Sequence, residues 1–437
     1  MSTRKAPELL APAGSLYMLN TAFAFGANAV YAGQPRYSLR VRNNDFGKLE
    51  TLKEGIDTAH AQGKQFYLVS NIYPRNAKLK TYIKDMAPVM ALKPDALIMS
   101  DPGLILMIKE AFPEAEIHLS VQSNTVNYAA VRFWKQAGIS RVILSRELSL
   151  DEIAEIRQEC PDMELEVFIH GALCVAYSGR CLLSGYFSHR DPNQGTCTNS
   201  CRWDYQVKEA DEDPSGDLME AVKDARTQMI SPASRQWLIE EAQRPGELMP
   251  IEEDEHGTYI MNSKDLRAIE HVQRLVEIGV DSLKIEGRTK SPYYAARTAQ
   301  TYRQAIDDAV AGKPLDPRLV AELDGLANRG YTSGFYERHP DRDYQNYLRG
   351  FSLSHRSLYV GDLKGYDANG LAEINVKNKF SVGDRLELVH PTGNVEVAVE
   401  RMESLEGEAM DCAPGSGHKV RVPAPAGLEG AFVARFV

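Results

Sequence analysis

Cys174, Cys181, Cys197 and Cys201 fall within 28 residues in the spacing C-x6-C-x15-C-x3-C, while Cys160 and Cys412 stand alone and read as packed or surface thiols. Four thiolates in one wide and one narrow spacing suit a four-iron four-sulfur cluster, which is held by four cysteines at its corners. Structural zinc sites favour two tight C-x2–4-C knuckles or a Cys/His mixture, and only the Cys197/Cys201 pair approaches that. Spacing alone leaves cluster, zinc and unmetallated thiols open. A second group of reactive side chains follows short apolar runs: Ser70-Asn71, Ser100-Asp101, Ser120 with Gln122, Ser145-Arg146, His170-Gly171 and Glu286-Gly287-Arg288. Polar residues also end strands simply because loops are wet, so each is a candidate only if the fold gathers them.

The elements that would gather them form a weak repeat. A helix-length segment runs into a Gly or Pro, then a small or polar residue, then a short apolar strand, as at Gly26 to Tyr31, Pro94 to Met99, Gly138 to Leu144 and Gly279 to Ile285. Alternating helix and strand lengths mean βα units and a parallel sheet. With Glu8 to Ala11, Phe66 to Val69, Glu116 to Leu119 and Leu165 to Ile169 the count is eight strands, as in a closed (β/α)8-type barrel. Active sites of such barrels lie at the C-terminal strand ends, where the polar residues above would converge. The connection between the seventh and eighth strands runs to roughly 110 residues, far beyond an ordinary βα connection, so it must carry a substructure. It holds the four cysteines, an acidic stretch from Glu209 to Gln236 with the composition of a mobile segment, and a hairpin pattern from Leu248 to Met261 around Glu255-His256-Gly257. Ser291-Pro292 opens the last barrel helix, which ends near Gly312 and carries a core-facing stripe of Thr298, Tyr302, Ile306 and Ala309. After about Asp343, short apolar runs alternate with turns such as Asn369-Gly370 and Gly383-Asp384, the pattern of a small all-β barrel. The reading divides the chain into residues 1–170 (seven βα units), 171–262 (inserted cysteine region and hairpin), 263–342 (barrel closure) and 343–437 (C-terminal β-barrel).

Composition narrows the setting. With 43% apolar and 25% charged residues the chain buries a large core, and its net charge of −10 argues against sequence-independent nucleic-acid coating. Locally, residues 36–85 carry ten basic side chains against five acidic ones, which reads equally as solvated helix faces or as a phosphate-facing patch. The first apolar stretch, Leu9 to Ala13, is too short for a signal-peptide core and no run is long enough to span a bilayer; the expected location is the cytoplasm, where clustered thiols hold metal more often than disulfides.

The run Glu166-Val167-Phe168-Ile169-His170-Gly171-Ala172-Leu173-Cys174, followed by Gly179-Arg180-Cys181-Leu182-Leu183-Ser184, resembles the signature of the collagenase-like, so-called peptidase family. Glu8 to Gly14, Gly26 to Gly33, Ser120-Val121-Gln122, Met261 to Leu266 and Leu283 to Arg288 extend the likeness across nearly the whole chain. Within that family, Gln34 to Asn44, Arg190 to Cys197 and Glu240 to Glu247 are similar to a branch implicated in tRNA hydroxylation. The resemblance implies an enzyme that converts the wobble uridine of certain tRNAs to 5-hydroxyuridine, without molecular oxygen and with prephenate as co-substrate. Related branches hydroxylate a ribosomal RNA cytidine or the ring of a ubiquinone precursor. All are linked to a four-iron four-sulfur cluster, and Cys174, Cys181, Cys197 and Cys201 match its ligands; in another branch the last ligand lies further downstream, but here no cysteine occurs between Cys201 and Cys412.

Under that implication, prephenate's two carboxylates need cationic, preferably bidentate partners, for which Arg40, Arg42, Arg146 and Arg288 are the candidates. A pyrimidine taken from its stack needs amide donors and a stacking surface, which Gln122, Asn124, Tyr37 and Tyr177 could supply. His170 is either an acid–base group or a core histidine satisfied by a backbone carbonyl. Two rival readings are a protease, for which no Gly-x-Ser-x-Gly or His-Glu-x-x-His motif is present, and a non-catalytic RNA-binding protein with a structural metal. The C-terminal barrel resembles those of translation factors, which suggests contact with tRNA or a partner.

Overall fold

The computed structural model describes residues 5–33, 36–38, 44–74, 76–172, 265–288, 290–326, 328, 330–337 and 357–436, together with the backbone of five strands between 205 and 260. Eight parallel strands close on themselves: β1 (Glu8–Pro12), β2 (Ala29–Gly33), β3 (Gln65–Ser70), β4 (Ala96–Met99), β5 (Ile117–Leu119), β6 (Arg141–Ile143), β7 (Glu164–Ala172) and β8 (Ser282–Ile285), with β8 hydrogen-bonded to both β7 and β1. Strands covered on both faces read as continuous apolar runs, and β2 and β4 are buried along their whole length.

The helices α1 (Leu16–Ala24), α2 (Leu49–Ala61), α3 (Asn76–Met90), α4 (Pro102–Ala111), α5 (Tyr128–Gln136), α6 (Leu150–Glu159), α7 (Val272–Ile278) and α8 (Pro292–Val310) alternate with these strands. Their starts are written locally. Ser15, Asp101, Asn127 and Ser291 each accept a backbone N–H of the first turn, and Ser149 with Glu152 forms a reciprocal capping box at α6. Pro102 and Pro292 occupy first-turn positions where no donor is lost. Among the described residues no helix is long and apolar enough to cross a membrane.

The connection from β7 to β8 carries an antiparallel sheet in the order Gly257–Ile260, Leu248–Asp254, Gln236–Glu241, Tyr205–Glu212, Leu218–Glu220. The expected hairpin around residue 256 is present, and part of the acidic stretch anticipated as mobile is strand at 209–212 and Leu218–Glu220. The chain returns through Asp265–Arg267, antiparallel to the end of β7, with Asp265 paired to Ala172.

The C-terminal part is a six-stranded antiparallel sheet, Val395–Ala398, Arg385–Val389, Phe432–Phe436, Ser357–Tyr366, Leu371–Val376, Lys419–Pro423, curved around its own core of Val360, Ile374, Leu386, Val420 and Val433. It is a half-barrel: the two outermost strands are not joined to each other. One face docks on α1 and α8. Tyr293 stacks on Tyr359 with centroids 5.0 Å apart, and Phe432 packs among Tyr17, Phe25 and Tyr293. Beside these rings Arg297, 3% exposed, pairs with Glu387 of the sheet, and Gln300 donates to the His390 carbonyl at 3.0 Å. Glu387→Ala should therefore leave the buried guanidinium with only the Tyr293 hydroxyl and the more distant Glu322, and weaken docking by about 1.5–3 kcal/mol. Calorimetry is expected to show the half-barrel melting at a lower temperature in this variant than in the parent chain; an unchanged thermogram would contradict this.

Candidate active site

The barrel interior is floored by charge. Glu8 accepts from Arg141 at 2.7 Å, Tyr67 at 2.6 Å and Ser282 at 2.8 Å; Arg141 also reaches Glu164 and Glu166, and the Lys284 ammonium donates to Glu166 at 2.8 Å. Glu166 is 0% and Lys284 3% exposed. Burial lowers the Lys284 pKa, opposed by the Glu166 carboxylate, and burial followed by the nearby Glu8 carboxylate raises that of the Tyr67 phenol. Each charged group of this layer is ion-paired, as buried ions must be.

Above this floor the C-terminal strand ends divide into two halves. On the β6–β8 and β2 side, the Arg288 guanidinium donates to Ser38 Oγ at 3.2 Å and lies 5.8 Å from the centre of the Tyr31 ring. Gly33 makes room for it, since a Cβ there would sit 2.3 Å from Arg288 Nη1. Arg146 lies 4.0 Å over the Phe168 ring and donates to the Ala172 carbonyl at 3.3 Å. Lys284 sits 4.4 Å from the Tyr31 centroid and 5.5 Å from that of Phe168, so the two arginines and this lysine bracket the same pair of rings. Lys284 is committed to Glu166, so the two guanidiniums beside these rings are the groups suited to a small anion with more than one carboxylate.

On the β3–β5 side the rim is polar and interlinked: Asn71 donates to Ser120 Oγ at 3.4 Å, Ser100 to the Asn71 carbonyl at 3.3 Å, and Ser123 to the Ser100 carbonyl at 3.1 Å. Gln122 lies in a single turn, Val121–Ser123, and Asn124 closes it in the left-handed conformation (φ +50°), donating from Nδ2 to the Gln122 carbonyl at 3.4 Å. Tyr73, 51% exposed, donates to the same carbonyl at 2.9 Å. Sequence reading missed Tyr73; its signal was an aromatic residue just beyond the Ser70-Asn71 strand end.

Arg146, Arg288, Gln122 and Asn124 are thus placed at the barrel mouth. Tyr37, read as a stacking surface, is instead fully buried, edge-on to Tyr82 at 4.8 Å with its hydroxyl on Asp85 at 2.5 Å. Arg40, Arg42, Tyr177, Cys174, Cys181, Cys197 and Cys201 lie outside the described residues.

His170 stands apart from the mouth. The β7–β8 register shifts between Lys284 and Ile285, so His170 pairs with Ile285 rather than continuing the inward alternation of Glu166 and Phe168. Its imidazole turns outward beneath α8, 1% exposed, among Tyr294, Tyr302 and Tyr331. Tyr302 gives its proton to the Ile169 carbonyl at 2.8 Å and accepts from the Ala268 N–H, so His170 Nδ1, 3.2 Å away, is the donor to that hydroxyl. Burial, with Arg267 and Lys290 adding to it, lowers the pKa to about 3. Of the two roles open to this residue, the surroundings are those of the neutral core histidine. Because the folded pKa is below the unfolded value of about 6.5, the unfolded chain takes up the proton first as pH falls, and stability declines by roughly 1.4 kcal/mol per pH unit from about 6.5 toward 3. Urea midpoints at pH 7 and pH 5 should therefore differ more in the parent chain than in His170→Gln, by about 2 kcal/mol; equal differences would exclude this account.

Residues 14–346 match the description Peptidase family U32, and residues 355–435 match Peptidase family U32 C-terminal domain. The chain is 61% identical over 430 residues to a protein of Escherichia coli (strain K12) named tRNA hydroxylation protein P, covering 97% of this chain and 95% of that one. It is 57% identical to a protein of the same name from Haemophilus influenzae, with the same coverage, and 27% identical, over 95% of this chain and 94% of the other, to a protein of Porphyromonas gingivalis named collagenase. A solved U32 peptidase structure aligns with 45% of this chain and 84% of its own at 14% identity and a TM-score of 0.34.

Proposed function

Since the chain belongs to peptidase family U32, we propose that it is a tRNA-modifying enzyme which hydroxylates the wobble uridine to 5-hydroxyuridine, independently of molecular oxygen and with prephenate as co-substrate. The observation that carries this reading is the 61% identity, over 97% of the chain, to a protein named for tRNA hydroxylation. The mouth supports it: Arg146 and Arg288 offer the positive charge that a dicarboxylate needs, opposite a rim of amide and hydroxyl groups suited to a base.

A four-iron four-sulfur cluster belongs to the proposal. Its donor set suits the chain, since β7 ends at the mouth two residues before Cys174, and the remaining thiols are elsewhere, Cys160 buried with its thiol toward the Tyr128 carbonyl and Cys412 in the C-terminal part. Cys174, Cys181, Cys197 and Cys201 would hold the cluster, which when bound supplies an electron-transfer or Lewis-acid centre. The chain's own residues have separate tasks: the arginines fix the dianion, the barrel floor excludes water from below, and the polar rim receives the nucleotide. Among the described strand ends no histidine faces a serine or cysteine, so the pairings a protease would use are missing there.

The test is mass spectrometry of wobble nucleosides from cells lacking the gene, grown without oxygen so that no oxygen-dependent enzyme compensates. Loss of 5-hydroxyuridine derivatives, reproduced by blocking prephenate synthesis, is expected; unchanged levels would refute the reaction. Anaerobically purified chain should show a broad visible absorption that Cys174→Ser abolishes, whereas stoichiometric zinc in fully active protein would remove the cluster.

A further inference from the structure

We infer that Tyr73 and Gln122 form a nucleobase subsite on the β3–β5 half of the mouth, with Tyr73 as the stacking face and the Gln122 side-chain amide as the reader of a pyrimidine edge. This rests on the proposed action on RNA and deepens it by dividing the mouth between base and dianion. Tyr73 follows the end of β3 with half its surface exposed, yet it is not loose, because its hydroxyl is tied to the Gln122 backbone carbonyl at 2.9 Å. A ring held by its edge and bare on its face can stack on any base.

Gln122 stands directly beside it. Its backbone is pinned from three directions: Ser120 Oγ receives its N–H, and its carbonyl accepts from both Tyr73 and Asn124. Its side-chain amide has no hydrogen-bond partner among the described residues. Asn124, a non-glycine residue at φ +50°, keeps the turn in a conformation that L-residues adopt at a cost, and such strain gathers at sites of function. An amide presents one acceptor and two donors, which matches the alternating O4 and N3–H of uracil; a carboxylate there would meet uracil's carbonyl with repulsion but could still accept from the amino group of cytosine. Among the described residues no ion pair or cation–ring contact involves Tyr73 or Gln122, whereas the opposite half of the mouth carries Arg146 and Arg288. The base half carries no guanidinium among the described residues, and the carboxylate nearest Tyr73, Asp101, is engaged in capping the helix after β4.

The probe is an anticodon stem–loop RNA with uridine at the wobble position, and the same RNA with cytidine there, titrated against the full chain. Tyr73→Ala is expected to weaken binding of the uridine RNA about 10-fold, the order of one base–aromatic stack, while Tyr73→Phe stays within about 2-fold. Gln122→Glu is expected to weaken the uridine RNA more than the cytidine RNA. Thermal melts unchanged from the parent chain exclude misfolding at these surface positions. Equal affinity of Tyr73→Ala and parent chain, or binding of a collagen-type peptide that depends on Tyr73 in place of the RNA, would overturn the subsite. Tyr73-dependent RNA binding by a chain that leaves wobble uridine unmodified in cells would uphold the subsite and defeat the proposed reaction, so the two failures are distinguishable.

Discussion

Arg288→Met is expected to lower prephenate-dependent tRNA hydroxylation by about 100-fold or more, with wild-type folding and RNA binding. The estimate follows from the strength of charge-assisted contacts: one guanidinium–carboxylate pair contributes on the order of 1.5–3 kcal/mol per hydrogen bond, and each 1.4 kcal/mol is a factor of ten. The residue is pre-positioned. Ser38 holds one arm, the Tyr31 ring lies beneath, and Gly33 leaves the space the guanidinium fills. Arg288→Lys keeps the charge but loses the planar fork, and should recover only a fraction of the activity. The measurement is single-turnover conversion of wobble uridine at rising prephenate concentration. A variant that regains full rate at saturating prephenate would have lost ground-state affinity alone; one whose rate is unaffected at every concentration would place the dianion elsewhere.

Lys284→Met should cost about 1.5–3 kcal/mol of stability, because it removes a charge-assisted hydrogen bond from the Glu166 carboxylate, 0% exposed, and leaves it only the Arg141 guanidinium in the barrel interior. Adding Glu166→Gln to the same chain removes the buried carboxylate that has lost one of its two cations, while Arg141 keeps Glu8 and Glu164, and is expected to restore part of the loss. The readout is the urea midpoint of the single and double variants, analysed as a cycle. A loss below about 1 kcal/mol in the single variant would mean that water reaches the floor of the barrel.

Much of the scaffold was legible because its signals are local. Each strand pattern, from Glu8 to Ala11 through Leu283 to Ile285, coincides with an observed strand, and Ser291-Pro292 opens α8 as its residue types require. Arg146, Gln122, Asn124 and Arg288 were legible as mouth residues for the same reason: position after a strand specifies position in a barrel. What escaped depends on facing and register. The run Glu166 to His170 reads as one apolar strand with a polar end, and only the displaced pairing at Ile285 turns the imidazole outward. Tyr37 looks like any loop aromatic until Tyr82 and Asp85, 45 and 48 residues away, are brought against it. The charged floor is equally non-local, since Glu8 and Arg141 are separated by 133 residues and nothing nearby in the chain announces their pairing.

The long excursion between β7 and β8 departs after Ala172 and returns at Asp265, and those two residues are paired across adjacent strands. An insertion whose two ends meet is a cassette: the scaffold feels only its endpoints, and lengthening it adds little closure entropy. Grafting the corresponding segment from a distant relative between these positions should therefore leave the barrel folded while exchanging the chemistry beside its mouth, and a graft that prevents the barrel from folding would show that scaffold and cassette are not separable.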